Sequence, residues 1–259
     1  MQTIHNGETK KEFRTCEKHG EYETTLTFSA VLDRWIEVGC PACVEEREAE
    51  ELATEERENE ERIKKDSERF FTSRGIPKRY HDKKLNDIIA TTDKQREIKR
   101  TIVEYVKNQK EAMESGRSFI FYGNPGTGKT HIATAIIKAW EGIGFYISAR
   151  EYTRLLRGTY SQNSTQTESD IIKRFVGYSI LVIDEIGKQF ATENERYAIF
   201  DIINLRYNEM KPTILISNMN LKDVEDFLGV ETVDRLKENG GQAILFEGKS
   251  FRKETKEQS

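Results

Sequence analysis

The chain has 259 residues, of which 36% are hydrophobic and 33% are charged, and its net charge is −4. This length holds one full domain and a small module, and no apolar run or signal-peptide core indicates a membrane or secreted protein. Three cysteines do not form a disulfide framework in a chain of this length, so we expect a cytoplasmic protein.

Residues 1–43 are predicted to form a zinc-binding module. Cys16 and His19 form one pair with two residues between them, and Cys40 and Cys43 form a second such pair. Four ligands of this kind at this spacing are typical of a closed, tetrahedral Zn²⁺ site. Free thiols without a metal are the alternative, because one pair contains histidine in place of cysteine.

This module has few apolar residues for a core. Strand-like segments lie over 22–28 and 35–38, and Gly20 and Gly39 permit tight backbone turns beside the ligands. A bound metal would therefore supply folding free energy that the small core lacks.

A charged helical linker is predicted over residues 44–70. The segment has no Gly or Pro and places Glu three or four residues from Arg or Lys, which favours a solvent-exposed helix. A partner-binding helix is the alternative to a spacer.

The negative charge of the chain is concentrated in this segment. Residues 45–69 carry twelve acidic and six basic side chains, a local charge of −6 that leaves a net charge of +2 on the rest of the chain. The acidic total therefore does not exclude a nucleic-acid partner.

The rest of the chain, residues 71–259, is predicted to be one α/β domain that begins after the helix breaker Gly75-Ile76-Pro77. In chain order, the predicted elements are a helix over 93–115, a strand over 118–123, a helix over 130–140, a strand over 145–148, a helix over 151–160, a loop over 161–169, a helix ending near 175, a strand over 179–184, a helix over 193–210, a strand over 213–217, two short helices within 221–238 and a strand over 242–247. Strands that alternate with helices indicate a parallel sheet in a three-layer α/β architecture.

The strand over 118–123 leads directly into a phosphate-binding loop. The loop fits the pattern G-x-x-x-x-G-K-T and consists of Gly123, Asn124, Pro125, Gly126, Thr127, Gly128, Lys129 and Thr130. Glycines let backbone N–H groups converge on the phosphates of ATP, and the helix that follows adds its partial positive charge. Lys129 is expected to reach the β- and γ-phosphates, and the Thr130 hydroxyl is expected to bind Mg²⁺.

Two consecutive carboxylates, Asp184 and Glu185, end the buried strand over 179–184. The carboxyl edge of a parallel sheet is where ligands bind in open α/β folds. We expect Asp184 to hold Mg²⁺ and Glu185 to act as the base that activates the attacking water. The presence of both carboxylates favours ATP hydrolysis over nucleotide binding alone.

These motifs resemble those of the AAA+ ATPases, and more narrowly the branch of DnaC-type helicase loaders and IstB-type transposition ATPases, over residues 70–252. The resemblance implies that Asn218 is sensor 1 and helps to position the hydrolytic water. It implies that Arg235 is an arginine finger for a neighbouring subunit, and that Arg252 is sensor 2 and contacts the γ-phosphate in cis. Surface ion pairs are the alternative for both arginines.

The length of the chain supports the narrower branch. About forty residues follow the strand over 213–217, too few for the C-terminal helical lid of typical AAA+ proteins, and the DnaC/IstB branch lacks that lid. No N-K-x-D motif is present, which argues against a Ras-type GTPase.

The same resemblance predicts an ATP-dependent loader that places a replicative ring helicase on single-stranded DNA and forms homo-oligomers when assembled. By analogy with the N-terminal region of loaders, residues 1–70 would be the arm that binds the helicase, although the zinc module could equally bind DNA. Zinc-containing versions look more like phage or prophage relatives. A transposition helper and a zinc-dependent adaptor that uses ATP as a structural switch are the alternatives.

A DNA-contacting segment is predicted over 150–160, where the branch has an inserted helix that lines a channel for single-stranded DNA. Arginines there would neutralise phosphates and aromatic rings would stack on bases. The residues concerned are Arg150, Tyr152, Arg154, Arg157 and Tyr160, with weaker candidates at Lys188, Gln189 and Phe190. An amphipathic helix with Leu155 and Leu156 buried is the alternative.

Overall fold

The computed structural model divides the chain into two compact units, Met1–Ser67 and Glu68–Ser259. It describes residues 8–37, 39–161, 164–187 and 192–251. The three-part division predicted at 43/44 and 70/71 stays a prediction. Within the described residues, no helix has the length and apolar character needed to span a membrane.

The first unit contains a three-stranded antiparallel sheet. Its strands are β1 (Thr9–Cys16), β2 (Gly20–Ser29) and β3 (Arg34–Glu37), in the order β1-β2-β3. Cys16 pairs with Gly20 across the β1–β2 turn, so the first predicted ligand pair lies in a hairpin turn. Strand β1 was not predicted, because its polar and mostly exposed sequence lacks a hydrophobic pattern. Val38, which ends the second predicted strand (35–38), lies outside the described residues.

Helix α1 (Pro41–Ser73) contains the charged segment and has no buried residue. It extends a few residues beyond both ends of the prediction. Arg47 and Glu51 are 3.9 Å apart and Glu61 and Lys65 are 3.5 Å apart, each pair one helical turn apart. The prediction of a solvated helix is therefore confirmed.

The second unit has a five-stranded parallel sheet in the order β5-β6-β7-β4-β8. Its strands are β4 (Phe119–Gly123), β5 (Gly144–Ser148), β6 (Ile180–Ile186), β7 (Thr213–Ser217) and β8 (Gln242–Phe246). Its helices are α2 (Asp93–Lys107), α3 (Gln109–Ser115), α4 (Lys129–Ala139), α5 (Ala149–Gly158), α6 (Glu168–Gly177), α7 (Glu193–Asn208), α8 (Leu221–Leu228) and α9 (Val230–Lys237).

Two hydrophobic cores lie on opposite faces of this sheet. Alternate residues of a strand contribute to different cores, as with Ile120 on one face and Phe121 on the other. Helices α5 to α9 pack on the first face, and α2 to α4 pack on the second. The predicted three-layer parallel α/β fold is confirmed.

The predicted helix over 93–115 is wrong in one respect, because it is two helices. Asn108 has φ −100° and ψ 29° and ends α2 while it begins α3. Asparagine competes with helical hydrogen bonds and favours helix ends, which accounts for the break. The other predicted elements differ from the structure only at their ends.

One arginine stabilises the interior of the second unit. Arg206 is fully buried on α7, and its guanidinium donates hydrogen bonds to the carbonyl oxygens of Phe175, Tyr178 and Pro212 at 2.7 to 2.9 Å. These bonds join α7 to the end of α6 and to the start of β7. Burial lowers the pKa of Arg206.

Candidate nucleotide and zinc sites

The predicted phosphate loop connects β4 to α4 at the carboxyl edge of the sheet. Gly123, Gly126 and Gly128 have φ values of +113°, +80° and +95°, a region that favours glycine. A Cβ at Gly123 would lie only 2.5 Å from the carbonyl oxygen of Phe246 on the neighbouring strand. The sequence motif therefore corresponds to a loop whose backbone requires its glycines.

Lys129 lies at this loop with only 5% of its surface exposed. Its Nζ donates hydrogen bonds of 2.7 Å to the carbonyl oxygens of Gly123 and Asn124. Thr127 Oγ1 donates to the same Asn124 oxygen at 2.7 Å, which closes the loop on itself. The ammonium group is thus held where the phosphates of a nucleotide would be its natural partners.

Asp184 is the centre of the predicted magnesium site. Its Oδ2 accepts hydrogen bonds of 2.8 Å from Thr130 Oγ1 and from the Tyr146 hydroxyl, and its Oδ1 accepts one of 2.6 Å from the Glu185 amide. Burial raises the pKa of Asp184, while these three donors act in the opposite direction. Burial also raises the pKa of Tyr146, so its hydroxyl keeps its proton and donates. The two residues predicted to bind Mg²⁺ are therefore brought into direct contact.

Glu185 adopts an unusual backbone conformation for a non-glycine residue, with φ +64°. The pairing of β6 with β7 shifts register between Ile183 and Ile186, and Ser217 Oγ donates to the Ile186 carbonyl oxygen at 2.9 Å. Such strain is concentrated at functional sites in proteins. The backbone distortion therefore occurs at the residue that the sequence predicts as the catalytic base.

Asn218 and Arg252 are the two predicted sensors. Asn218 is exposed and directly follows β7. Strand β7 lies between β6, which carries Asp184 and Glu185, and β4, which leads into the phosphate loop. Asn218 therefore follows a strand that neighbours both parts of the site. Arg252 lies outside the described residues, but the amide of Phe251 donates to the carbonyl oxygen of Gly126 at 3.0 Å. The chain just before Arg252 thus contacts the phosphate loop.

Arg235, the predicted finger, lies on α9 and contacts α7. Its Nη1 donates to Asn204 Oδ1 at 2.5 Å, and its guanidinium lies 5.6 Å from the centre of the Tyr207 ring. The observed partners are an amide and an aromatic ring, and the finger role stays a prediction.

The four predicted zinc ligands come together in the first unit. His19 Nδ1 lies 3.3 Å from Cys43 Sγ and 3.7 Å from the Sγ atoms of Cys16 and Cys40. All four ligand atoms lie within 4.8 Å of one another. A tetrahedral Zn²⁺ ion with bonds of about 2.3 Å needs ligand atoms about 3.8 Å apart. The cluster therefore fits a zinc module.

Hydrogen bonds prepare two of these ligands, Cys16 and His19, for a metal. The amides of Lys18 and His19 lower the pKa of Cys16 to about 6, which favours the thiolate that Zn²⁺ requires. The pKa of Cys43 rises to about 11, first because of its hydrogen bond with Cys16. His19 Nε2 lies 3.2 Å from Glu46 Oε1. The carboxylate therefore accepts a hydrogen bond from Nε2–H, which leaves the lone pair of Nδ1 for the metal.

The predicted DNA-contacting segment is an amphipathic helix, α5. Tyr152 is only 1% exposed and packs in the core with Leu156, so the prediction that Tyr152 stacks on bases is wrong. Tyr160 is 70% exposed, and the side chains of three arginines, at 150, 154 and 157, lie on the exposed face. The weaker candidates Lys188, Gln189 and Phe190 lie outside the described residues.

Sequence reasoning missed two residues that complete these sites, Tyr146 and Glu46. Tyr146 belongs to a short strand, and nothing in its local sequence connects it to a carboxylate 38 residues later. Glu46 follows Cys43 by one helical turn, a spacing that places both on one face of α1. That spacing was a usable signal, although many acidic residues surround it.

A parallel sheet in this strand order, with a phosphate loop after β4 and a carboxylate pair at the end of β6, defines a P-loop ATP-binding protein of the AAA+ class. Residues 49–259 match the family described as IstB-like ATP binding protein. The chain belongs to that family, within the DnaC/IstB branch.

Several relatives and solved structures are similar to this chain. The replicative helicase loader DnaC of Buchnera aphidicola (subsp. Acyrthosiphon pisum) is 29% identical over 73% of this chain and 77% of its own length. DnaC of Escherichia coli K12 is 31% identical over 52% of this chain and 56% of its own length. A crystal structure of the DnaC helicase loader, 26% identical, gives a TM-score of 0.59 over 66% of this chain and 100% of that chain.

A structure of the replication initiator DnaA bound to AMPPCP and single-stranded DNA has the same fold. It is 21% identical, with a TM-score of 0.53 over 68% of this chain and 55% of that chain. At this level of identity, the likeness concerns the fold alone.

Proposed function

We propose that the protein is an ATPase that loads a replicative ring helicase onto single-stranded DNA. The observation that carries the proposal is the contact of Thr130 with Asp184 beside the phosphate loop, which prepares a site for Mg²⁺ and nucleotide. Similarity to proteins named replicative helicase loaders supports the cellular role. We expect the protein to act in the cytoplasm, in phage or prophage replication.

The proposed chemistry gives each predicted site residue one role. Lys129 would bind phosphate oxygens, and Thr130 and Asp184 would hold Mg²⁺, which supplies positive charge that neutralises the phosphates when bound. Glu185 accepts a proton from the attacking water, and Asn218 orients that water. Arg252, which lies outside the described residues, would contact the γ-phosphate from the same chain as sensor 2.

Two substitutions test this site. Lys129→Ala should weaken ATP binding because the charge on the phosphates is lost, whereas Glu185→Gln should retain binding and lose most hydrolysis. Lys110→Ala and Glu209→Gln, which change exposed side chains on α3 and just after α7, are the matched controls. Turnover by Glu185→Gln at the wild-type rate would show that the base is assigned wrongly.

We propose that Cys16, His19, Cys40 and Cys43 hold one structural Zn²⁺ per chain, and that residues 1–70, which include the zinc module, form the arm that binds the helicase. Convergence of the four ligand atoms supports this proposal. Metal analysis of protein purified without chelator should give one zinc per chain, and Cys40→Ser should lose it while it keeps ATP binding. Protein without zinc would contradict the assignment.

Assembly of several chains would complete the active site. Arg235 would act on the nucleotide of a neighbouring subunit, and the exposed aromatic residues Tyr197 and Phe200 lie on the same helix as its partner Asn204. Arg235→Ala should bind ATP normally and hydrolyse it poorly under assembling conditions. Mixing it with Lys129→Ala should restore some hydrolysis, because mixed interfaces pair an intact finger with an intact loop.

DNA binding is proposed for the exposed face of α5. Arg150, Arg154 and Arg157 carry positive charge there, and Tyr160 offers an exposed ring. Replacing the three arginines with glutamine should weaken binding of single-stranded oligonucleotides and reduce its salt dependence. An unchanged salt dependence would exclude this face.

A transposition helper is a second candidate, and the match to the IstB-like family favours it. Native mass spectrometry with a ring helicase and, separately, with a transposase distinguishes the two roles, because only the true partner should form a stoichiometric complex. A third candidate is an adaptor that uses ATP as a structural switch. Measurable turnover that depends on Glu185 would count against it.

A further inference from the structure

Tyr146 contacts the magnesium site from a strand that carries no recognised motif. Its hydroxyl donates to Asp184 Oδ2 at 2.8 Å. The strand β5 runs beside β6, with Tyr146 opposite Val182 and Ser148 opposite Asp184. The ring therefore reaches along the sheet towards its carboxyl edge to contact this carboxylate.

The hydrogen bonds on Asp184 leave little freedom for its carboxylate. An ionised carboxylate has about four acceptor positions, two on each oxygen. Within the described residues, Thr130 and Tyr146 donate to Oδ2 and the Glu185 amide donates to Oδ1. One position on Oδ1 is then left for a further ligand, such as a water molecule of hydrated Mg²⁺.

The backbone of Tyr146 is held on both sides. On one side β5 pairs with β6, and on the other the Tyr146 amide donates to the carbonyl oxygen of Arg74 at 2.9 Å. A Cβ at Gly75 would lie 2.1 Å from the Tyr146 carbonyl oxygen, so the two backbones approach as closely as only glycine permits. The hydroxyl is thus presented from a fixed strand.

We propose that Tyr146 is a positioning residue for magnesium: its hydroxyl limits the rotation of the Asp184 carboxylate and keeps it in the orientation in which, together with Thr130, it would hold the cation. This inference rests on the proposed nucleotide site. Loss of the hydroxyl would remove one of the two described donors to Oδ2 and leave Thr130 as the other. The carboxylate would then rotate more easily, while the phosphate loop and Lys129 stay intact. The effect should therefore fall on Mg²⁺ and not on the nucleotide itself.

Tyr146→Phe tests the proposal, with Tyr105→Phe as the matched control. Tyr105 is buried, whereas Tyr146 is partly buried. Tyr105 also donates a 2.8 Å hydrogen bond, but to the carbonyl oxygen of Arg117, away from the site. A fluorescent, non-hydrolysable ATP analogue is bound first in EDTA and then during a Mg²⁺ titration. The midpoint of urea unfolding is measured for each protein.

Tyr146→Phe should need about fivefold more Mg²⁺ for half-maximal tight binding, the loss of roughly one hydrogen bond, with unchanged affinity in EDTA. Tyr105→Phe should match the wild type in its affinity for the analogue in EDTA and in the Mg²⁺ titration. An unshifted Mg²⁺ titration for Tyr146→Phe would overturn the positioning role, as would an equal shift in the control. Wild-type protein whose binding does not respond to Mg²⁺ would overturn the proposed nucleotide site as well.

Discussion

Replacing Gly126 with alanine should detach the segment that leads to Arg252 from the phosphate loop. Gly126 has φ +80°, and a Cβ there would lie 2.0 Å from Ser250 Oγ and 2.8 Å from Ser250 Cβ. The Phe251 amide also donates to the Gly126 carbonyl oxygen at 3.0 Å. A methyl group at position 126 would therefore overlap Ser250, and the segment that contains Ser250 would have to move away from the loop.

Gly128 provides the reference for the magnitude. Its φ is +95°, and a Cβ there meets nothing within 4 Å. Both substitutions carry the strain of a left-handed alanine, about 1–2 kcal/mol. Gly126→Ala adds the loss of one hydrogen bond and local overpacking, about 1–3 kcal/mol more. The free energy of unfolding should therefore fall further for Gly126→Ala than for Gly128→Ala.

Urea unfolding without nucleotide measures this difference. The chain has two tryptophans, and a Trp35→Phe background leaves only the buried Trp140 of the second unit as a fluorescent probe. Ser250→Gly should restore part of the loss in Gly126→Ala, because it removes the two closest atoms. Equal losses for the two alanine variants, or no rescue by Ser250→Gly, would refute the predicted contact.

Three further results are expected. Removal of zinc by a chelator should unfold the first unit and leave Trp140 fluorescence unchanged, since the metal supplies that unit's folding free energy; simultaneous loss of both units would contradict this. Glu46→Gln should lower zinc affinity about tenfold in a competition assay, because His19 loses its carboxylate partner, whereas Glu48→Gln should not. Arg206→Met should reduce the free energy of unfolding by about 3 kcal/mol or more by leaving buried carbonyls unpaired, against little change for exposed Arg196→Met.

Much of the second unit was predictable because its strands are covered on both faces. Buried strands such as β6 and β7 are continuous apolar runs, and such runs need no knowledge of the tertiary structure to be recognised. The phosphate loop and the two pairs of zinc ligands could also be predicted from the sequence, since their chemistry depends on local spacing. For these strands and motifs, the local signal and the structure agree.

Two of the failures came from contacts that local sequence does not encode. Strand β1 is ordered by pairing with β2 although its own pattern is polar. Tyr146 meets Asp184 only because β5 lies beside β6. The error on Tyr152 was avoidable, because Ala149, Tyr152 and Leu156 recur at helical spacing and are all buried.

The Asp184 carboxylate stabilises the fold and is also part of the proposed nucleotide site. It joins β5 through Tyr146, α4 through Thr130 and the end of β6 through the Glu185 amide. A buried carboxylate costs free energy that these hydrogen bonds offset, and burial still raises its pKa. A divalent cation that arrives with the nucleotide would bring opposite charge to the point where these three elements meet. Nucleotide binding and the stability of the second unit should therefore rise together, because the same carboxylate serves both.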